Sequence, residues 1–178
     1  ARIQVFLDSD ESPRLSVERP FCAIKTYKDE LGRDVKLLYL DANLQSIKNS
    51  DGTYGKTTEY KEDSLFSFVE TNIDAMGIPC ENASGYVKKH IREDNSGRPI
   101  LVAYTDAEDN ILTDSLGDKA SGFIYSSDRD IFIIDSLDAD YNPHINNLGY
   151  SREIRIWVTQ DEYKSVYLDL HGNTVQPR

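Results

Sequence analysis

Apolar positions along this chain fall in short runs divided by clusters of turn-forming residues. "RIQVFL" (2–7), "FCAIKTY" (21–27) and "VKLLYLDA" (35–42) combine aliphatic, β-branched and aromatic residues at strand length, and "KDELGRD" (28–34) separates the last two. Residues 43–60, rich in Asn, Ser, Asp and Gly, read as a polar loop. In "DSLFSFVETNIDAM" (63–76), Leu65, Phe68, Val69, Ile73 and Met76 share one face at helical spacing. Asp63 or Ser64 would cap this helix and Gly77 and Pro79 would stop it. A second helix is expected over 84–92, with Val87 and Ile91 inward and Gly97 and Pro99 beyond its end. Strand periodicity returns at 100–105, 110–114, 122–126, 131–135, 153–158 and 164–169. The expected fold is α+β: a single domain over 1–178 whose mostly antiparallel sheet is built from hairpins, with two short central helices.

One local pattern recurs. "YKDELGRDV" (27–35), "YTDAEDNIL" (104–112) and "YLDLHGNTV" (167–175) each place Tyr two residues before Asp and a turn-tolerant residue three after it. The Asp opens the turn by accepting backbone N–H groups, and the later position must tolerate positive φ. The spacings, 77 and 63 residues, do not indicate a tandem repeat. The three copies resemble hairpin repeats of the Rhs/YD type.

Charge narrows the classes of partner. The chain has 178 residues and a net charge of −11, and ten of its acids against two bases lie between Asp106 and Asp140. Direct binding to nucleic-acid phosphate needs a basic surface and is disfavoured. A protein partner with a basic surface is the natural complement, with Asp106, Glu108, Asp109, Asp128 and Asp130 as contact residues. No window approaches the ~18–20 apolar residues of a membrane-spanning helix, and the N-terminus shows no apolar signal core, so the chain reads as soluble. Cys22 and Cys80 read as two free thiols, and Asn82-Ala83-Ser84 is a glycosylation sequon.

Several short segments suggest chemistry, and most lack an essential group. Asp169-x-His171-Gly172-Asn173 resembles the first metal motif of calcineurin-like phosphoesterases, but only five residues follow Asn173. "AMGIPCENASGYV" (75–87) resembles a segment of transglutaminase-like cysteine proteases, yet no Cys stands near Glu62–Ser64 and no His precedes "PILVAY". "DGTYGKTT" (51–58) lacks the first glycine of a phosphate loop, and no Gly-x-Ser-x-Gly elbow is present. Acid-x-Lys tripeptides begin at Asp34, Glu59 and Glu162, as chance supplies in a chain with 29 % charged residues. "DSLDADYNPHINN" (135–147) begins Asp-x-Asp-x-Asn like a calcium loop, and "FLDSDES" (6–12) has the same flavour. Asp135, Asp138, Asp140 and His144 are therefore candidate ligands for calcium or another divalent metal, although Pro143 stands where an EF-hand loop needs Gly.

In "EIRIWV" alternation sends Ile154, Ile156 and Val158 to one face and leaves Trp157 beside Arg155 on the other. Trp157 is a candidate interface anchor, or a residue covered by a helix. The leading expectation is a non-catalytic protein-interaction module with an acidic binding surface and no cofactor. The alternative is a metal-dependent hydrolase or calcium-binding domain centred on 135–144.

Overall fold

The computed structural model describes residues 1–7, 20–62, 64–126, 131–159 and 161–178, and among these it is all-β with no helix. Twelve strands follow in chain order: β1 (Arg2–Val5), β2 (Ala23–Lys28), β3 (Asp34–Leu40), β4 (Gly55–Tyr60), β5 (Phe68–Ile73) and β6 (Lys88–Glu93) come first. Then come β7 (Pro99–Thr105), β8 (Ala120–Tyr125), β9 (Ile131–Leu137), β10 (Arg152–Trp157), β11 (Tyr163–Leu168) and β12 (Thr174–Val175). They form one antiparallel sheet in which spatial order equals sequence order.

Both expected helices are corrected to strands and turns. The segment 63–76 contains β5 and the opening of a turn at Asp74, and 84–92 contains a turn and most of β6. A spacing of four fits a period of 3.6 and a period of 2 alike: Val69 and Ile73 are a buried pair on β5, and Val87, just before β6, and Ile91 within it are both buried. The flanks decide between the two periods. Leu65 is 43 % exposed and Met76 79 %, so the inferred helical stripe has no buried ends. β4 was hidden in a stretch read as loop because its sequence, GKTTEY, is polar on both faces; Lys56 pairs with Glu70 of β5 across the ladder. Residues 110–114, expected as a strand, connect two turns instead.

Eleven turns share one form. They open at Asp29, Asp41, Asn49, Asp74, Asn82, Asp94, Asp106, Asp114, Asp138, Asn146 and Asp169. Each opening N–H donates to the carbonyl four residues on, and the fourth residue of each turn has positive φ. In ten of them the opening side chain's Oδ1 accepts the N–H groups two and four residues ahead; Asn49 Oδ1 accepts from Thr53. A type I turn closed by a left-handed residue joins antiparallel strands with the right twist, and a short Asx side chain holds it. Gly takes the left-handed place in eight turns; Leu44, Asp109 and Tyr141 take it in the others.

These turns reveal a tandem repeat, contrary to the expectation from sequence spacing. Paired turns open at 41 and 49, 74 and 82, 106 and 114, and 138 and 146, so the pair recurs every 32 or 33 residues. Spacings of 77 and 63 hide it because Asp29 opens a turn of another class, the β2–β3 hairpin, whose counterpart is Asp94 between β6 and β7.

By internal contacts the chain divides into two compact units, each described by itself below. The first comprises Ala1–Ser64, Phe68–Lys89 and Thr105–Asn110; its buried residues include Cys22, Ala23, Leu40, Thr53, Val69, Ile73 and Val87. Gly55 in this unit is required by contact, since a Cβ there would lie 2.1 Å from the Leu37 carbonyl oxygen. The second comprises Leu65–Ser67, His90–Tyr104 and Ile111–Arg178. Its core packs Phe66, Leu101, Ala103, Ala120 and Leu137, with Tyr141 against Phe66. Ala103, Ala120 and Leu137 are in direct cross-strand register, which lines the core up across β7, β8 and β9.

Candidate binding site

Alternation in β8 to β11 of the second unit brings a ladder of rings and guanidinium groups to one face. Register pairs Tyr125 with Phe132, Phe132 with Arg155, and Trp157 with Tyr163. Phe132 stacks on Tyr125 with centroids 5.1 Å apart and on Phe123 at 5.7 Å. Trp157 meets Tyr163 edge-on at 4.9 Å, and the Arg155 guanidinium lies over the Tyr163 ring at 5.0 Å. At the other end, the Arg98 guanidinium covers Tyr125 at 4.7 Å, and Tyr125 Oη donates to the Pro99 carbonyl. Ring and cation contacts of this kind contribute roughly 0.5–1.5 kcal/mol each and fix the side chains' orientations.

Charge within the ladder is neutralised locally. Arg98 Nε and Nη2 both donate to Asp94 Oδ2, at 2.8 and 2.7 Å. Arg155 donates from Nε and Nη2 to the two carboxylate oxygens of Glu153, and the Ser165 hydroxyl donates to Oε1 at 2.7 Å. Burial raises the Glu153 carboxyl, but the bonds from Arg155 and Ser165 outweigh it and hold it below its ordinary pKa.

Two clefts flank the Trp157–Tyr163 pair. One, of about 310 Å³, is lined by Arg98, Tyr125, Ser126, Ile131, Phe132 and Trp157. The other, of about 370 Å³, is lined by Val158, Asp161, Glu162, Tyr163 and Lys164. Trp157 is 37 % exposed and Tyr163 44 %, and no helix covers them among the described residues.

The acids singled out in the sequence are placed differently. Asp106 is a turn opener: its Oδ1 accepts the Glu108 and Asn110 amides and its Oδ2 the Asn110 side chain. Asp109 is the left-handed residue of that turn and pairs with Lys88 at 2.8 Å, while Glu108 is exposed at its tip. These three residues belong to the first unit and Trp157 to the second. Asp128 and Asp130 lie outside the described residues, as do Asp8, Asp10 and Ser12.

Three of the four candidate metal ligands have other partners. Asp135 receives Arg152 Nε at 2.5 Å and Nη2 at 2.8 Å. Asp138 Oδ1 accepts the Asp140 and Asn142 amides, and Asp140 is exposed one step along that turn. His144 Nε2 meets Asp118 Oδ1 at 3.0 Å. Among the described residues no group of three or more His, Cys, Asp or Glu side chains is arranged to hold a metal ion.

Asp118, His144 and Ser136 form a polar cluster that the sequence did not flag. Asp118 is 6 % exposed, Ser136 3 % and Asn146 5 %, and Asn146 Nδ2 donates to Ser136 Oγ. Burial pushes the Asp118 carboxyl above its ordinary pKa, although hydrogen bonds with Ser136 and His144 pull it down. Ser136 Oγ accepts from Asn146 Nδ2, and His144 Nε2 meets Asp118 and not the serine, the contact that a Ser–His–Asp triad needs. The repeat exposes its origin. Residues two before the equivalent turn openers are Tyr39, Asn72, Tyr104 and Tyr167, and Ser136 is the smallest of the set.

Of the ladder, the sequence indicated Trp157 and Arg155; Arg98, Tyr125, Phe132 and Tyr163 were missed. Alternation along each strand gives the face of each residue, but which strands are neighbours, and in what register, is settled only by the turns. Cys22 and Cys80 are both free thiols, and no helix among the described residues is long and apolar enough to cross a membrane. A comparison of the chain with protein-family models, curated proteins and solved structures finds no match.

Proposed function

We propose that this chain is a non-catalytic protein-interaction module whose second unit engages its partner through Trp157 and the ladder beside it. The observation that carries the reading is an exposed Trp set edge-on to an exposed Tyr beside two clefts, with Arg155, itself paired with Glu153, over the Tyr ring. Large rings fixed in one orientation lose little conformational entropy on docking, which is why Trp, Tyr and Arg dominate interface energetics. The charge of −11 favours a partner with a basic surface. In the first unit, Glu108 is the acid of the 106–109 turn whose carboxylate is most available to such a partner. The carboxylates of Asp106 and Asp109 already hold amides and a lysine.

Selection of displayed random peptides on the intact chain, with Trp157→Ala as the counter-selection, tests this. Ligands that are enriched in Lys and Arg, weaken with salt and lose about 30-fold or more in affinity on Trp157→Ala are expected. Enrichment that is indifferent to Trp157, or no enrichment at all, overturns the reading.

A further inference from the structure

We infer that the ligand of this surface is an extended, proline-containing peptide with a Lys or Arg close to the proline, an inference that rests on the interaction reading above. The two clefts beside Trp157 differ in chemistry, and together they specify such a segment.

Among the described residues the first cleft is lined mainly by apolar side chains. Its walls are the rings of Tyr125, Phe132 and Trp157 with the side chain of Ile131. Among the described lining residues the one cation, Arg98, is already held by Asp94 through two nitrogens, so an anionic group would compete with a bound carboxylate. A neutral, compact apolar ring suits the space. Proline offers that ring on a backbone that is pre-extended and makes no internal hydrogen bonds, so little ordering cost accompanies docking in an aromatic groove. The carbonyls of such a segment remain free to accept, and tryptophan brings an indole N–H donor as well as a ring face.

The second cleft selects charge. It is lined by Asp161 and Glu162, both exposed, with Tyr163 as its aromatic wall and Lys164 at its side. Thr159 Oγ1 accepts the Asp161 and Glu162 amides, which fixes the turn that carries the two acids. Neither carboxylate takes part in an ion pair among the described residues. A ligand cation placed there gains both charges and a ring to lie against.

Trp157 lines the first cleft and Tyr163 the second, with ring centroids 4.9 Å apart. A segment crossing the pair in the extended polyproline II conformation would offer its ring to the first cleft and its cation to the second. A neutral glycan could stack on the rings but would leave the paired acids without a role.

The chain's single tryptophan gives a direct readout. Emission of Trp157 in the intact chain is followed during titration with a proline-rich peptide bearing two lysines. The same peptide with Pro→Ala, the same peptide with Lys→Glu, and a neutral cello-oligosaccharide serve as comparisons. Saturation by the first peptide is expected, with affinity at least about tenfold lower for each altered peptide. The double variant Asp161→Asn/Glu162→Gln, which keeps the turn amides and their Thr159 acceptor, should lose the discrimination between Lys and Glu peptides while unfolding at the parent temperature. Equal binding of the Ala peptide, no saturation by any peptide, or saturation by the oligosaccharide alone overturns the inference. Salt-sensitive peptides without proline that still depend on Trp157 in the display selection would leave the interaction reading standing while this inference fell.

Discussion

Replacing Asn146 by Ala should be the most damaging single change to any of the eleven turns, and its cost follows from the bonds it breaks. Asn146 is 5 % exposed and makes three side-chain hydrogen bonds: Oδ1 accepts from Leu148 at 3.0 Å and from Tyr150 at 3.4 Å, and Nδ2 donates to Ser136 Oγ at 3.1 Å. The backbone bonds of the turn, Asn146 N–H to Tyr150 and Gly149 N–H to Asn146, survive the change. The two better side-chain bonds are worth about 1 kcal/mol each, and leaving buried polar groups at Ser136 and Tyr150 short of a partner adds roughly 1 kcal/mol, so the expected loss is ~3 kcal/mol. For a chain of this length that lowers the melting temperature by ~6–12 °C. Asp138→Ala is the control. It removes two comparable amide bonds, both at 2.9 Å, from a more exposed turn whose N–H groups can turn to water, and should cost only about 1 kcal/mol. Urea unfolding with unchanged m-values measures both. If Asn146→Ala costs no more than Asp138→Ala, burial does not set the value of these turns and the reasoning fails.

Further outcomes follow from the same geometry. Gly97 has φ +73 and nothing within 4 Å of an added Cβ, so Gly97→Leu should cost ~1–2 kcal/mol from the backbone alone, whereas Leu44→Gly, at φ 61, should be neutral or stabilising; chemical denaturation checks both. The Glu153 carboxyl lies below its ordinary pKa when folded, so its contribution is present above the ordinary glutamate range and is lost as pH falls through the folded value; Glu153→Gln should flatten that part of the acid limb in a melting-temperature series from pH 6 downward to about pH 2. Asp118 has the opposite sign. Its raised carboxyl costs stability at neutral pH, so Asp118→Asn should raise the melting temperature at pH 7, and the gain should vanish as pH falls to the ordinary aspartate range near about 4. Because Asp135 is tied to Arg152 and Asp138 to amides, millimolar calcium should leave the melting temperature unchanged within error; a rise of several degrees, abolished by Asp138→Ala, would restore the calcium-loop reading of 135–144.

Strands that pair an apolar face with short turns were legible in the sequence, and so was the form of the turn itself. The pattern in "YLDLHGNTV" predicts a turn opened by Asp169 with Gly172 at the left-handed place, and the bonds from His171 and Asn173 to Asp169 have that form. Two features concealed the rest. Buried pairs at a spacing of four satisfy helix and strand alike, and Gly-x-Pro after each pair mimics a helix stop although its Gly closes a turn, followed by an isolated bridge at Pro79 and by β7 at Pro99. The repeat escaped because its marker residues drift: Tyr two before the turn becomes Asn72 or Ser136, and Gly at the left-handed place becomes Leu44 or Tyr141. The geometry of the turn persists while its residues change, since Asx at the opening carries most of the specification. At the candidate site, Trp157 stood out by rarity and exposure, but its partners come from other strands and only register brings them together. The acidic bias also has a local use, because Asp106, Asp114 and Asp138 each accept turn amides through Oδ1.

Sequence-ordered pairing has a consequence for how the chain acquires its structure during synthesis. Each strand finds its sheet neighbour in the segment that has just emerged before it, so pairing requires closure of short loops only, and the entropy to be overcome at each step stays small and similar along the chain. No strand must wait for a distant segment, so few edges stay exposed for long on the ribosome. The same arrangement would let a block of 32 or 33 residues be duplicated or lost in a gene without rethreading the strands that remain.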